Sequence, residues 1–179
     1  MKLETPLSKK LGLRYPLVAA PMFLISNKEM LVAGAEAGIL PCMPSLNART
    51  PEAFREDLKW VRTKTDKPIG SNLTIGLTPP ERGEADLQTC IDLKVPVIVT
   101  SYGNPSALAK RAHEHGITVF HDVISLKHAQ KAVGAGVDAI IAVAAGAGGH
   151  AGTISPFALV PWLRDELQVP IIAAGAIST

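Results

Sequence analysis

Asp138-Ala139-Ile140-Ile141-Ala142-Val143 runs through two alanines into Gly146-Ala147-Gly148-Gly149-His150-Ala151-Gly152. The first six residues form an apolar run of strand length. The segment after them is almost without side chains, apart from one histidine. A buried strand ending in such a loop lets a ligand lie against bare backbone, with amides free to face an anion or a ring edge. No large apolar neighbour in the loop buries His150, so the stretch reads as a cofactor-binding loop carrying a catalytic base. The plainer alternative is a structural loop with its histidine hydrogen-bonded at a polar rim. A relaxed dinucleotide fingerprint over Gly146, Gly148 and Ala151 fits less well. In that motif the helix opens within the glycines, whereas here the next helix signal waits until Ser155.

Working outward, the same strand-then-helix rhythm recurs. Pro16 to Met22, Ile39 to Met43, Lys67 to Leu73, Val95 to Thr100, Ile117 to His121 and Val169 to Gly175 are further strand-like runs. Between them lie helix starts: Asn27, Thr50-Pro51-Glu52, Asn104-Pro105, Ser125 and Ser155-Pro156, each a capping side chain, three of them followed by a proline suited to the first turn. Leu31 with Ala35, and Phe54 with Leu58 and Val61, fall at helical spacing. Thr78 to Gly83, with two prolines, reads as a loop before a helix from Glu84 to Leu93. Pro161 predicts a bend or a late start in the last helix. The polar opening, Met1 to Tyr15, is expected to cap the bottom of the fold.

About seven strands in uniform βα alternation, without hairpin signals, predict a parallel sheet. Met22, Asn72, Thr100, His121, the glycine loop and Gly175 all gather at strand C-terminal ends, where barrel enzymes carry their sites. The expected fold is therefore α/β, a (β/α)8 TIM-barrel type sheet that stops after about seven strands. One domain spanning residues 1–179 is expected, with the C-terminal part of the barrel missing.

The 179 residues are 47% hydrophobic but only 4% aromatic, which suits a core of small branched side chains in layered parallel structure. A formal charge of +2, with no basic stripe, argues against nucleic acid or an anionic membrane as partner. No run approaches the ~20 apolar residues of a membrane span. Cys42 and Cys90 lack metal-ligand spacing and fit a reducing, cytoplasmic setting. No histidine and cysteine cluster suggests a metal. Ser26, Ser101 and Ser155 lack a nucleophile elbow, which excludes the common serine hydrolase pattern. His121 and Asp122 are adjacent on a strand, so they point to opposite faces and are not expected to pair.

Four stretches, in order at successive strand ends, resemble the nitronate monooxygenases, formerly called 2-nitropropane dioxygenases. They are Ala19-Ala20-Pro21-Met22, Asn72, Ala147 to Gly152, and Val169 to Ile177. That family consists of FMN-dependent (β/α)8 barrels related to FMN-dependent enoyl-acyl-carrier-protein reductases. The resemblance implies FMN as cofactor, with Ala20, Pro21, Met22, Asn72, Ala147, Gly148, Gly149, Gly175 and Ala176 around it. Met22 would donate its backbone N–H, Asn72 would present its amide to the ring, and Gly175 would approach the phosphate. His150 would be the base that takes the α-proton of a nitroalkane, a task suited to imidazole's ordinary pKa of about 6.5. The implied partners are a small-molecule substrate and O2, with room for a homo-oligomer. The implied products are a carbonyl compound and nitrite.

The chain departs from the family in three places. Ala176 stands where a second glycine often follows, and Asp122 stands where some members place a lysine near the flavin. The family also continues beyond the position of Thr179, through an eighth strand, so a truncated chain or one completed by another chain is expected. Two other readings stay open beside nitronate oxidation: an FMN- and NAD(P)H-dependent enoyl-thioester reductase, and a non-catalytic partial barrel.

Overall fold

The computed structural model describes residues 3–149 and 152–175. Seven strands form one parallel sheet: β1 (Val18–Ala19), β2 (Leu40–Pro44), β3 (Gly70–Thr74), β4 (Val97–Ser101), β5 (Thr118–Val123), β6 (Ala139–Val143) and β7 (Ile171–Ala174). Their order in the sheet is their order in the chain, and every neighbouring pair is parallel. That order never reverses. Right-handed crossovers then put every connecting helix on one face, and the sheet curls as a barrel wall. A doubly wound sheet would reverse once and carry helices on both faces.

The helices are α1 (Pro6–Lys10), α2 (Lys28–Ala37), α3 (Pro51–Arg62), α4 (Pro80–Asp92), α5 (Ser106–Glu114), α6 (Leu126–Gly134) and α7 (Pro156–Glu166). Local chemistry starts and stops them. Asn27 and Thr50 accept from the N–H groups of Met30 and Ala53, and Gly38 ends α2 in the left-handed region at φ 86°. The helix α4 begins at Pro80, earlier than the loop expected over Thr78 to Gly83. Proline fits a first turn because its missing N–H would have no intrahelical partner there, and Gly83 N–H already reaches Pro79 O at 2.9 Å. Pro161 does not delay α7. The carbonyl it leaves without its i+4 donor belongs to Phe157 in the first turn, a residue 92% exposed, so the loss falls at the solvent side. The first strand is only two residues, shorter than the run from Pro16 to Met22 suggests.

Two apolar clusters lie on the two faces of the sheet. Phe54, Leu58, Leu87, Ala109, Ala129 and Leu159 from the helices meet Ile98, Val119 and Ile140 from the strands on the outer face. On the concave face lie Leu40, Cys42, Val97, Val99, Phe120 and Ala139, closed off by Leu7, Leu11 and Leu13. The N-terminal segment thus caps the bottom of the wall, as its position before β1 suggests. Lys10 in α1 lies 3.5 Å from Asp138, just before β6, which fixes the cap to the strand starts. Polar residues are consequently left to the other end of the concave face.

Candidate active site

Strand alternation decides which side chains reach the concave face. Val97 and Val99 lie there, so Ser101 does too; Phe120 lies there, so Asp122 follows. Asn72 joins them, two residues on from Gly70, where a Cβ would come 2.5 Å from the Sγ of concave-face Cys42. Register brings the three together at the C-terminal ends of β3, β4 and β5. Asn72 Nδ2 donates to Val99 O at 3.1 Å and to Ser101 Oγ at 2.9 Å. Ser101 Oγ donates to Asp122 Oδ2 at 2.8 Å. The result is a polar row across three strands, above the apolar floor of Val99 and Phe120.

His121 points the other way, as alternation predicts. Thr100 Oγ1 donates to Phe120 O at 2.9 Å and lies 2.8 Å from His121 Nδ1. The threonine has one proton, and Phe120 O can only accept, so His121 donates from Nδ1. Burial holds the His121 imidazole below its ordinary value, although the Asp122 charge pulls it up. His121 is thus a neutral side chain toward the helices, and it is Asp122 that faces the site.

The loop after β1 forms the next wall. Asn47, on a single 3-10 turn after β2, holds it with three bonds: it accepts from Leu24 N–H at 2.9 Å and donates to Met22 O and Ser26 O at 3.1 and 2.7 Å. The Met22 N–H, expected to face a flavin, donates instead to Ser26 Oγ at 2.9 Å. Leu24 takes a left-handed φ of 61°, and Tyr102 after β4 one of 59°. Such strain in large residues persists only where the surroundings impose it. Both residues are exposed, as are Phe23, Ile25, Leu77 and Ile124 on the neighbouring strand-end loops. The rim of the wall is therefore apolar around a polar row.

In the glycine loop, a Cβ on Gly148 or Gly149 would meet none of the described residues within 4 Å, so bare backbone is open to them there. Gly175 is different. It has φ 124°, and a Cβ would come 2.9 Å from Ala144 O and 3.1 Å from Ala145 O. Close packing of β7 against the loop after β6 explains that glycine, and the groups it meets are acceptors. His150, Ala151 and Ala176 lie outside the described residues. Ala20 and Pro21 lie between β1 and the loop that Asn47 pins. Among the described residues no group of histidine, cysteine and acidic side chains could hold a metal. Cys42 and Cys90 are buried and their thiols are pushed up to about 12, so neither is a nucleophile at neutral pH.

A groove of about 350 Å³ lies at the opposite end of the strands, beside Arg62, Lys67, Pro68 and Pro96. Arg62 already donates to the carbonyls of Leu93, Lys67 and Lys94, so the groove's main cation is tied to its own walls. The chemistry sits at the other end. In the sequence Ser101 stands out only as a candidate nucleophile, and its link to Asn72 and Asp122 does not show. The signal was the two-residue spacing from Val99 and Phe120, but it needed the strand register to be read.

The fold and the row define a (β/α)-barrel wall with a candidate site at its C-terminal rim. The family model for nitronate monooxygenase matches residues 80–179, and the chain belongs to that family. It is 29% identical, over 98% of its length, to a (3aS,4S,5R,7aS)-5-hydroxy-7a-methyl-1-oxo-octahydro-1H-indene-4-carboxyl-CoA dehydrogenase of Mycobacterium tuberculosis, covering 49% of that protein. It is 27% identical, over 93% of its length, to a nitronate monooxygenase of Paraburkholderia phytofirmans, covering 58% of it. The chain thus spans about half the length of these curated relatives. Among solved structures, FabK from Thermotoga maritima superposes with a TM-score of 0.87 at 33% identity, over 97% of this chain and 55% of that one. A nitroalkane oxidase from Streptomyces ansochromogenes shares the fold, with a TM-score of 0.85 at 24% identity over 97% of this chain and 61% of that one.

Proposed function

We propose that this chain forms the flavin-holding wall of an FMN-dependent oxidoreductase that oxidises alkyl nitronates or nitroalkanes with O2 to a carbonyl compound and nitrite. The observation that carries this reading is the Asn72–Ser101–Asp122 row, set beside the open backbone of Gly148 and Gly149 at one rim. The donor set fits a flat heteroaromatic ring: an amide oxygen at its edge, glycine backbone against its face, and apolar Met22 beside it. Pro21, Ala20 and Ala147 would complete the contact. Bound FMN would supply the electron transfer and the reaction with O2.

The chain's own contribution is positioning and one proton. His150 takes the α-proton of a neutral nitroalkane and holds it on the imidazole; with a nitronate that proton is already gone, and His150 holds the anion electrostatically. The exposed side chains of Phe23, Leu24 and Tyr102 at the rim would shield the reacting carbon from water. The setting is the cytoplasm, with O2 and a small substrate as partners.

The test is a visible spectrum of the protein at its natural length, followed by nitronate and nitroalkane turnover. Flavin bands should be retained. His150→Ala should lose roughly 10²- to 10⁴-fold on the neutral nitroalkane, the usual contribution of a general base, and far less on the nitronate. Equal losses on both would remove the base role. The likeness to FabK from Thermotoga maritima favours a second reading, an enoyl-thioester reductase using FMN and NAD(P)H. Fast flavin reduction by NAD(P)H coupled to an enoyl thioester, with no nitronate turnover, would decide for it.

A further inference from the structure

The direction of every bond in the polar row is forced. Val99 O can only accept, so the nitrogen of the Asn72 amide faces it, and the oxygen does not. A carboxylate can only accept, so the single Ser101 proton goes to Asp122. Ser101 Oγ is then left to accept, and it takes the second Asn72 proton. Both amide protons are engaged inside the wall. Turning the amide would lose two bonds and set oxygen against oxygen at Val99. Asn72 Oδ1 has no partner among the described residues. Thr78 Oγ1 is the one described side-chain N or O atom that is both fully buried and unpaired, so Asn72 Oδ1 is not sealed off. It is an acceptor left open at the C-terminal rim.

We infer that Ser101 and Asp122 are positioning residues that lock the Asn72 amide with its oxygen toward the site, so that the ring edge received there must bring an N–H donor. The ligand class is a heteroaromatic ring with an imide or lactam N–H. This rests on the flavin reading and sharpens it: at Asn72 the flavin would place its imide N–H, not a carbonyl. A like-sized ring with only carbonyls along that edge would leave two acceptors facing each other, which is the penalty that makes such a site selective.

Two measurements on the protein at its natural length test this. The first needs no flavin. The Asn72 side-chain amide protons should both exchange with solvent more slowly than those of exposed Asn104, by about tenfold, the factor that one net hydrogen bond supplies. Ser101→Ala should release one of the two, and Ser101→Thr, which keeps the hydroxyl, should hold both. Free exchange of both protons in the wild type, or the same behaviour in the Ala and Thr variants, would overturn the lock. The second uses FMN labelled with ¹⁵N at its imide nitrogen. The bound N–H should be protected from exchange and should deprotonate at higher pH than in free FMN; Ser101→Ala should lose most of both effects and Ser101→Thr should restore them. Retained FMN with an unprotected imide N–H would overturn the ligand assignment. No retained FMN, with the Asn72 protons still slow, would sink the flavin reading and leave the lock in place.

Discussion

Two polar networks, one on α4 and one across the ends of β3, β4 and β5, do opposite things. In the first, Arg82 of α4 holds both oxygens of Asp86 at 2.8 Å and donates to the carbonyls of Arg49, Ser45 and Ala48. Asp86 is wholly buried, and the network closes on itself. In the second, Asn72, Ser101 and Asp122 make as many bonds as their protons allow, yet one oxygen of Asn72 is left over. A network whose polar groups all find partners within the protein holds architecture. One that keeps an unsatisfied acceptor at a cleft is built for something else to complete it.

Breaking the closed network should give the largest effect. Asp86→Ala leaves the Arg82 charge buried without its partner and should cost about 3 to 5 kcal/mol, read by urea unfolding. A loss near that of a surface substitution would erase the contrast drawn above. Asn47 comes next, because it ties the closed network to the rim loop after β1: its own turn is clamped by Arg82, and its amide pins the loop at Met22 to Ser26. Asn47→Ala should cost roughly 1 to 2 kcal/mol for the unpaired groups it leaves. It should also speed amide exchange at Leu24 and weaken FMN through the loosened rim loop. Unchanged exchange at Leu24 would show that Asn47 does not pin the loop.

The third prediction concerns the bottom of the wall. Burial pushes the Asp138 carboxyl up, but the Val119 N–H, His113 and Lys10 outweigh it and hold it below the ordinary 3.8. A depressed carboxyl contributes stability above its unfolded value and loses it as pH falls through the lower folded value. The stability advantage of wild type over Asp138→Asn should therefore be full at neutral pH and shrink as pH drops below 3.8. A difference that stays constant through acid would mean that the pin acts through shape alone. The smallest effect belongs to Lys59 and Glu56, an exposed pair on α3. Lys59→Ala should leave the thermal midpoint unmoved, and a clear drop would show that a solvent-exposed pair can rival the buried networks.

The fold is largely legible in the sequence. Capping side chains at Asn27, Thr50 and Ser125, proline in first turns, and β-branched runs between them act over a few residues, so local chemistry suffices to read them. The same holds for the opposition of His121 and Asp122, which follows from the two-residue period of a strand. The start of α4 was misread because two prolines look alike in a loop and in a first helical turn, and only the bond from Gly83 to Pro79 separates them. The Met22 N–H was assigned to a ligand because nothing in the sequence announces that Ser26, four residues on, takes it.

By itself, the sequence determined the parallel βα alternation, the apolar core, the polar strand ends and the family's motifs, since each depends on residue type and short spacing. Tertiary structure alone decided that the sheet keeps one order and curls, that Asn72, Ser101 and Asp122 meet, and that Asn72 shows oxygen rather than nitrogen. Those outcomes depend on register between strands tens of residues apart. A hydrogen bond's direction is set by which partners are already taken, and that is known only once the strands lie side by side.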